Sequence, residues 1–362
     1  MVERVKIGII GSGGIAGSHA RAYQSMDDVD ILGVADLVPG KAQQFIDDLE
    51  IEGAEAFEDH KALLELDIDA VSICVPNVAH YSTSIDALKA GKHVLVEKPL
   101  SVTLDQGIEM VETAKETGKM LSVGFQPRYD PNMKKVNEIV QSGQLGDVYY
   151  IEVGGGRRRG MPGGTFINKE LAGAGAMADI GTYSLDLALN ALGHPKPLTV
   201  SAYVSNHFGT NPQYHPEADK FEVEDFGVAM IRLENDIILN FKISWAMHMD
   251  TLGPTIFLGK KAGLKLTSAG EGPWSGVWDG GLGSMSLFHD DGDGHTETVL
   301  PIEEHSIDIF AEKVRDFVSA VKNDDTAPIS AEEILVNQAI IDGILRSAAL
   351  GKEVDITLPS FE

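Results

Sequence analysis

Cysteine, long apolar runs and positive charge are all scarce in this chain of 362 residues. A single cysteine, Cys74, excludes a disulfide framework and a cysteine zinc site, and its apolar surroundings favour a small core residue. No apolar run approaches the length of a membrane span, and the charged first ten residues are not typical of a secretion signal. Lys and Arg number 29 against 55 Asp and Glu, so the net charge of −26 disfavours nucleic acid and anionic lipid as partners. We therefore expect a cytoplasmic protein.

Short apolar runs alternate with helical patterns through the first third of the chain. The runs are filled with Val, Ile and Leu, which is typical of strands covered on both faces of a parallel sheet. Right-handed crossovers through the intervening helices then give a doubly wound α/β sheet. The predicted strands are 5–10, 30–36, 54–57, 69–75, 93–97 and 119–125, and the predicted helices are 15–26, 39–50, 59–66, 79–90 and 103–117.

The rhythm changes after residue 125. Longer runs with partial alternation predict a large, open and mostly antiparallel sheet, with a hairpin turn at Asn235-Asp236. Ser330 and Glu333 form a capping-box pattern before the last predicted helix. We predict a dinucleotide-binding Rossmann domain over 1–125 and a substrate-binding and oligomerisation α/β domain over 126–362. Within the second domain the predicted helices are 131–142, 306–322 and 331–350, and 268–294 is predicted as loops with a hairpin.

The first strand runs into a glycine-rich loop, GSGGIAGSHA. Gly11 permits a tight turn, Gly13 lets the backbone approach a pyrophosphate, and Ala16 is small enough for the helix to pack on the strand. The N-terminus of that helix offers free N–H groups to an anion. The predicted cofactor loop therefore comprises Gly11, Gly13, Gly14, Ile15 and Ala16.

Asp36 stands at the end of the next predicted strand, 20 residues after Ala16. An acid at this distance is expected to bind the ribose hydroxyls of a dinucleotide, and it disfavours a 2′-phosphate. No arginine follows it in LVPGK. The sequence therefore predicts NAD as the cofactor, in preference to NADP.

The stretch KHVLVEKPLS places an acid, a base and a proline directly after a buried strand, where an ordinary turn would carry Gly, Asn or Asp. Together with the glycine loop, VPNVAH, GFQPRYDP and GAGAMADIGTYSLDLALNALG, it resembles the Gfo/Idh/MocA family over nearly the whole chain. The resemblance implies a Rossmann domain followed by an α/β domain. It also implies a nicotinamide-dependent dehydrogenase or reductase of a sugar, polyol or inositol, and a homodimer or homotetramer formed through the open sheet.

The same resemblance assigns roles around the Glu-Lys-Pro turn. Lys98 is expected to hydrogen-bond the reacting hydroxyl, Pro99 to shape the turn through a cis bond, and Glu97 to anchor the loop or the cofactor. Asn77 could also cap the helix that it opens. The resemblance also implies cofactor contacts for Pro76, Asn77, His80, Glu97, Lys98 and Gln126.

Asp179 and Tyr183 are four residues apart and share one face if the segment is helical. Many members of the family have histidine where this chain has Tyr183, and other branches use tyrosine. Either Tyr183 or Lys98 could take the proton of the substrate hydroxyl, while Asp179 holds the substrate or orients its partners. Asp186, further along the helix, is either a substrate contact or a structural acid.

Several other residues could reach a substrate. Arg128 is either a substrate ligand or part of a salt bridge at the domain interface. Arg157 lies in the basic run GGGRRRGMPGG, which could gather a carboxylate or phosphate, or form a solvated loop or a subunit contact. Trp245 and His248, at the end of a predicted strand, could contact a sugar or pack within the sheet.

Other classes of site are disfavoured. The segment HDDGDGHTETVL lacks acids at the first and last ligand positions of a calcium loop, and the histidines lack zinc-protease spacing, so we expect no catalytic metal. The main prediction is an NAD-dependent oxidoreductase. The alternatives are a glycoside-cleaving enzyme that uses NAD for transient oxidation and a dinucleotide-binding sensor without catalysis.

Overall fold

The computed structural model describes residues 4–269, 281–292, 294–303 and 307–359. The chain divides into two compact units, and within the described residues each of them is assembled from two separate parts of the sequence. The predicted division into 1–125 and 126–362 does not include this return of the chain to the first unit. The first unit contains Met1–Gln126 and Ile307–Leu335, and the second contains Pro127–Ser306 and Val336–Ser360.

The first unit contains a parallel sheet whose strands were all expected from the sequence. Six strands lie in the described residues of this sheet, in the order β3-β2-β1-β4-β5-β6. The order reverses beside β1, which creates the crevice where ligands bind in doubly wound folds. The strands are β1 (Val5–Ile10), β2 (Val29–Ala35), β3 (Glu55–Phe57), β4 (Ala70–Ile73), β5 (His93–Glu97) and β6 (Leu121–Gly124).

The helices between these strands cover the sheet. Thr103 caps α5 by accepting a hydrogen bond from the backbone of Gln106, and Asp59 caps α3 in the same way. The α5 helix ends at Gly118, whose positive φ of 64° suits a glycine. The helices are α1 (Gly14–Gln24), α2 (Lys41–Asp48), α3 (His60–Leu64), α4 (Asn77–Lys89) and α5 (Leu104–Thr117).

The second unit contains a mixed sheet, as predicted. Nine strands of this sheet lie in the described residues, in the order β14-β13-β12-β11-β7-β10-β9-β8-β15. The pair β7 and β10 is parallel, whereas the other neighbours are antiparallel. The strands up to β14 are β7 (Val148–Gly156), β8 (Pro197–Ser205), β9 (Phe226–Leu233), β10 (Ile237–Ser244), β11 (Thr255–Gly259), β12 (Ala262–Ser268), β13 (Leu282–Asp291) and β14 (Gly294–Leu300).

Two turns of this sheet agree with the sequence. Asn235 and Asp236 adopt positive φ angles between β9 and β10, and Gly292 does so between β13 and β14. Residues 282–291 form a strand that pairs with β14, which agrees with the hairpin predicted in this segment, and residues 270–280 and 293 lie outside the described part of the chain. The helices that follow the first unit are α6 (Pro131–Gln141), α7 (Lys169–Ala172) and α8 (Thr182–Leu192).

The C-terminal part of the chain begins by completing the first unit. Helix α9 (Ile309–Asn323) packs against α1, and its Val314 and Phe317 are fully buried in the core that includes Ile7 and Tyr23. Helix α10 (Ala331–Leu350) follows, with the hydroxyl of Ser330 accepting from the backbone of Glu333 as the capping pattern predicted. The division between the units falls within α10, and β15 (Val354–Asp355) ends the second sheet.

Candidate functional site

The glycine turn after β1 leaves its backbone open. Gly11 has a φ of +91°, and a Cβ there would lie 2.4 Å from the carbonyl oxygen of Cys74, so the turn requires glycine. A Cβ built on Gly13 or Gly14 would meet nothing within 4 Å. Since α1 begins at Gly14, its first N–H groups lie directly beside this open backbone. The turn therefore fits the close approach of a pyrophosphate.

Asp36 follows β2 and is hydrogen-bonded to this turn. Its Oδ2 accepts from the backbone N of Ser12 at 3.0 Å and from the Ser12 hydroxyl at 2.6 Å, while its Oδ1 accepts from the backbone of Val38. The ammonium of Lys41 lies 3.1 Å from Oδ2 of Asp36. Burial alone would raise the pKa of Asp36, but these hydrogen bonds outweigh it and lower that pKa. An ionised carboxylate thus lies beside the glycine turn, while its contact with the ribose stays a prediction.

These features fit a dinucleotide. The turn requires glycine at Gly11, exposes backbone at Gly13 and Gly14, and has an ionised acid beside it. Ala16 is fully buried, as expected for the residue that packs the helix on the strand. The individual contacts to the cofactor that we predicted for these residues and for Ile15 stay predictions.

Strand β5 ends in a buried acid. Glu97 is only 6 % exposed, and its Oε1 accepts from His19 Nε2 at 2.8 Å and from the ammonium of Lys313. Burial would raise the pKa of Glu97, but the positive charge of Lys313 and the hydrogen bond from His19 lower it strongly. Glu97 is therefore a buried carboxylate that stays ionised, and its charge is balanced inside the same unit.

The contact to Glu97 continues as a chain of buried hydrogen bonds. His19 Nδ1 lies 2.9 Å from the Ser72 hydroxyl, which lies 2.6 Å from the Tyr23 hydroxyl. Burial lowers the pKa of His19 and raises that of Tyr23, so both groups are neutral at neutral pH. Because the carboxylate can only accept, Nε2 of His19 carries the proton, and the hydroxyl of Ser72 donates to Nδ1.

The Glu-Lys-Pro turn is also held from the side of α4. Lys98 is half-buried, and the Lys98–Pro99 peptide bond is cis, as expected. His80 is buried, with Nδ1 at 2.7 Å from the carbonyl oxygen of Pro99 and Nε2 at 3.0 Å from that of Val75. The ring nitrogens of His80 thus contact backbone carbonyls, while its predicted cofactor contact stays a prediction.

The segment after β4 was expected to contribute Pro76 and Asn77 to the cofactor site. Helix α4 begins at Asn77, and Pro76 takes the cap position without a side-chain capping bond. Asn77 is therefore the first helical residue rather than the cap. Gln126 is buried at the start of a short 3₁₀ turn, Gln126–Tyr129, just after β6.

In the second unit, Asp179 lies in a π-helical turn, Met177–Gly181, that leads into α8. Such turns occur preferentially at functional sites. Its Oδ2 accepts a hydrogen bond from the indole Nε1 of Trp245 at 2.9 Å, and an Arg157 nitrogen lies 3.6 Å away. Tyr183 is buried in the first turn of α8, one turn after Asp179. A carboxylate, an indole, a guanidinium and a phenol therefore lie on neighbouring elements of one unit.

Glu224 supports the turn that carries Asp179. Its Oε1 accepts from the backbone N of Gly175 at 2.7 Å and of Met177 at 3.0 Å, and its carbonyl oxygen accepts from Ala176. Burial raises the pKa of Glu224 in spite of these bonds. The sequence did not reveal this role.

Asp225 also accepts hydrogen bonds from the backbone, in this case from residues before β9 and after β10. Its Oδ2 accepts from the backbone N of Phe208 at 2.7 Å and of Gly209 at 2.6 Å, and its carbonyl oxygen accepts from the backbone N of Trp245. Burial raises its pKa as well. Glu224 thus holds the backbone just before Asp179, and the backbone carbonyl of Asp225 holds the backbone N–H of Trp245.

The basic run after β7 is fixed in place rather than solvated throughout. Arg157 donates to the carbonyl oxygen of Gly160 at 2.8 Å, in addition to its contact with Asp179. Arg159 donates to the carbonyl oxygen of Met247, and its guanidinium lies 5.1 Å from the ring centre of Phe208 and 5.3 Å from that of Tyr214. This run therefore packs beside the end of β10.

Three other predicted residues have structural partners. Arg128 forms a two-point ion pair with Asp186, with N–O distances of 2.8 and 3.0 Å, and both side chains are largely buried. Trp245 is 0 % exposed, so its ring offers no face for stacking a sugar, and its indole N–H serves Asp179 instead. His248 is exposed and packs against Phe208 at a ring distance of 5.2 Å.

Neither a metal site nor a membrane-spanning helix is found among the described residues. Within them, no group of three or more His, Cys, Asp or Glu side chains is arranged to hold a metal ion. No helix in the described part of the chain is long and apolar enough to cross a membrane.

Comparison with known families decides the relationship. A model described as an oxidoreductase family with an NAD-binding Rossmann fold matches residues 5–125, and a C-terminal domain model of the same family matches residues 133–265. The chain belongs to the Gfo/Idh/MocA oxidoreductase family. The predicted family, oxidoreductase class and NAD-type cofactor are thereby confirmed.

Individual members of the Gfo/Idh/MocA family show how far the similarity extends. D-glucoside 3-dehydrogenase of Escherichia coli K12 is 30 % identical over 363 residues, which covers 97 % of each chain. Inositol 2-dehydrogenase of Salmonella typhimurium LT2 is 34 % identical over 144 residues, covering 39 % of this chain and 43 % of the relative. The structure of levoglucosan dehydrogenase in complex with NADH has a TM-score of 0.83 at 20 % identity, covering 99 % of this chain and 100 % of the other, and shows the shared fold.

Proposed function

We propose that this protein oxidises a ring hydroxyl of a glucoside or a related sugar, with NAD as the hydride acceptor. The observation that carries the oxidoreductase assignment is the open glycine turn with the ionised Asp36 hydrogen-bonded beside it. The substrate class is supported by full-length similarity to a relative named D-glucoside 3-dehydrogenase. Sugars, inositols and other polyols form the wider class to be tested.

Each predicted catalytic residue receives a role from its own surroundings. A bound nicotinamide would supply the hydride acceptor. We assign to Lys98 a hydrogen bond to the reacting hydroxyl. Asp179, oriented by Trp245, accepts a hydrogen bond from a substrate hydroxyl, and Tyr183 and Lys98 are the two candidates for taking the proton.

The arginines receive different roles. Arg157 lies close enough to Asp179 to balance its charge and to orient a substrate oxygen, so we keep it as a substrate ligand. Arg128 is held in a two-point ion pair by Asp186, and we keep it as a candidate substrate ligand on the strength of the family resemblance. If the substrate carries a carboxylate or a phosphate, Arg157 is the residue that we expect to bind it. A guanidinium can bind either group through two parallel hydrogen bonds.

Assembly and location are part of the proposal. On the sheet of the second unit, Tyr203 and Met230 are exposed apolar side chains on neighbouring strands β8 and β9. We propose that this sheet pairs two or four copies of the chain, which light scattering on the purified protein would test. We also propose a cytoplasmic location, on the basis of the composition.

The decisive experiment is a panel of glucosides, free sugars, inositols and uronates with NAD, followed at the NADH absorbance band. NADH formation with a glucoside or sugar supports the proposal. Glycoside cleavage without net NADH release would support the transient-oxidation alternative. Tight NADH binding with no turnover of any substrate would instead support a sensor.

Lys98→Met provides the sharpest test of the assigned chemistry. Removing the ammonium from the reacting hydroxyl should lower kcat by about 10³-fold, whereas NADH affinity should stay within about tenfold of the wild type. Lys89→Met, at the exposed end of α4, is the matched control and should leave both values unchanged. Near-wild-type turnover in Lys98→Met would refute the role of this lysine.

A further inference from the structure

We infer that Lys313, on α9, is a positioning residue for Lys98 and that it acts through Glu97. This inference rests on the proposed function, because it concerns how the turn that carries Lys98 is held. Lys313 is only 1 % exposed, yet it carries an ammonium, and that ammonium contacts Glu97. A buried charge of this kind is costly and needs a partner to be stable.

The contact reaches the turn directly, because Glu97 is the residue before Lys98. The backbone of Glu97 pairs with Gly124 on β6, and a Cβ on Gly124 would lie 2.7 Å from the Glu97 carboxylate. The side chain of Glu97 therefore lies across the glycine backbone of β6. There it meets the groups that hold it, which are His19 from α1 and Lys313 from α9.

Lys98 thus lies between two fixed neighbours. On one side, the carboxylate of Glu97 is held by Lys313 and by His19, and the hydrogen bonds continue to Ser72. On the other side, the carbonyl of Pro99 is held by the ring of His80. Catalytic groups need such support, since a displacement of about 1 Å can cost roughly 100-fold in rate.

Among the side chains that hold Glu97 and Pro99, Lys313 is the one that carries a positive charge. Without its ammonium, the ionised Glu97 would be buried with only the neutral imidazole of His19 as a donor. The carboxylate would then move toward water or take up a proton, and in both cases the turn would lose its fixed position. The effect should appear in the chemistry at Lys98 more than in the binding of the cofactor at the glycine turn.

Lys313→Met tests this inference. We expect kcat to fall about 30-fold, with NADH affinity changed less than about threefold, and hydrogen exchange at the amides of residues 97–101 to rise about tenfold. Lys322→Met, on the same helix, removes an ion pair to Asp28 that is partly exposed, and it should leave all three values unchanged. A role limited to general stability would lower the melting temperature but leave kcat per folded molecule at the wild-type value, which would overturn the inference.

A second variant covers a failure to fold. Lys313→Gln keeps an N–H donor near Glu97 while removing the charge, and we expect a kcat below that of the wild type. Wild-type kcat and wild-type exchange at residues 97–101 in this variant would also overturn the inference.

The exchange measurement separates this inference from the proposed function. If the wild type oxidises no glucoside, sugar or polyol but Lys313→Met still loosens residues 97–101, the proposed function fails and the structural support stands. If the wild type is active and both Lys313 variants match it in kcat and exchange, the inference fails and the proposed function stands.

Discussion

Two glutamates with the same exposure behave in opposite ways in the two units. Glu97 in the first unit and Glu224 in the second are each 6 % exposed. The pKa of Glu97 is strongly lowered, because Lys313 and His19 more than offset its burial, whereas the pKa of Glu224 is raised, because burial outweighs its bonds from backbone N–H groups. The partner, and not the depth of burial, decides which form of a buried acid the fold favours.

The opposite pKa shifts of the two glutamates reflect different kinds of support around Lys98 in the first unit and around Asp179 in the second. Around Lys98, the first unit uses the full charge of Lys313 from α9 together with the neutral imidazole of His19 from α1, so the support is strong but depends on that one charge being present. Around Asp179, the second unit uses backbone N–H groups that donate to Glu224 and Asp225, together with the indole of Trp245. This second kind of support tolerates the loss of a charge, because an amide oxygen can accept the same bonds.

The two glutamates also predict opposite dependence of stability on pH. The lowered pKa of Glu97 stabilises the fold above its ordinary value of 4.5, and that contribution is lost as the pH falls below it. The raised pKa of Glu224 means that the fold binds a proton more tightly than the unfolded chain does. Its contribution is therefore fully present below pH 4.5 and is lost as the pH rises through the folded pKa.

The largest expected effect comes from Glu97→Gln. This change leaves the ammonium of Lys313 buried without a carboxylate, so the free energy of unfolding should fall by about 3–5 kcal/mol at pH 7. Urea unfolding at pH 7 measures the loss, and Glu109→Gln, on the outer part of α5, serves as the control. A loss below about 1 kcal/mol would show that the charge of Lys313 matters no more to Glu97 than the backbone N–H groups matter to Glu224.

Asp36→Ala tests an acid that combines both kinds of support, with backbone and hydroxyl donors as well as a lysine. Loss of a ribose ligand should lower the preference for NAD over NADP by about 10–100-fold, as measured by titration with both reduced cofactors. The exposed Asp47→Ala on α2 is the control. An unchanged preference would count against Asp36 as the ribose ligand.

Trp245→Phe removes the hydrogen bond to Asp179 while keeping an aromatic ring at the buried position just after β10. Because a hydrogen bond to a charged group contributes about 1.5–3 kcal/mol, kcat/KM for the sugar should fall at least about tenfold with NADH affinity unchanged. Phe257→Leu removes apolar bulk from a buried site on β11 and controls for packing. An equal loss in both variants would mean that Trp245 acts only through packing.

The smallest effect is expected from Glu224→Gln. The amide oxygen can still accept from Gly175 and Met177, so the free energy of unfolding at pH 7 should change by less than about 1 kcal/mol. Between pH 5 and pH 8 the variant should lose less stability than the wild type, because it lacks the acid that the fold prefers to keep protonated. Melting temperatures across this range test the sign, and a steeper loss in the variant would contradict it.

The sequence predicted those parts of the fold and site that depend on neighbouring residues. The glycine turn, the strands and helices of the first unit and the fold class follow from local spacing and are confirmed. The roles of Lys98, Asp179 and Tyr183 rest on short motifs and stay predictions. Local patterns also found the cap at Ser330 and the turn at Asn235-Asp236.

Groups joined only by the fold were not predictable in this way. Lys313 looks like any lysine of an amphipathic helix, and nothing near it in sequence indicates that Glu97 is its partner. Glu224 and Asp225 likewise appear as ordinary acids before a strand, although each receives backbone N–H groups from a distant loop. For Trp245 the sequence left open a sugar contact or packing within the sheet, and its complete burial could not be foreseen from alternation alone.

The return of the chain at α9 has a consequence for biosynthesis. Glu97 and Lys313 are 216 residues apart, so the ribosome completes the parallel sheet long before it adds the lysine that balances this carboxylate. A nascent chain that stops at residue 125 would therefore contain the carboxylate of Glu97, the residue before Lys98, without the ammonium that balances its charge. Translation of α9 should be the step at which the N-terminal half matures, and gene fragments ending before it should yield a weakly folded product.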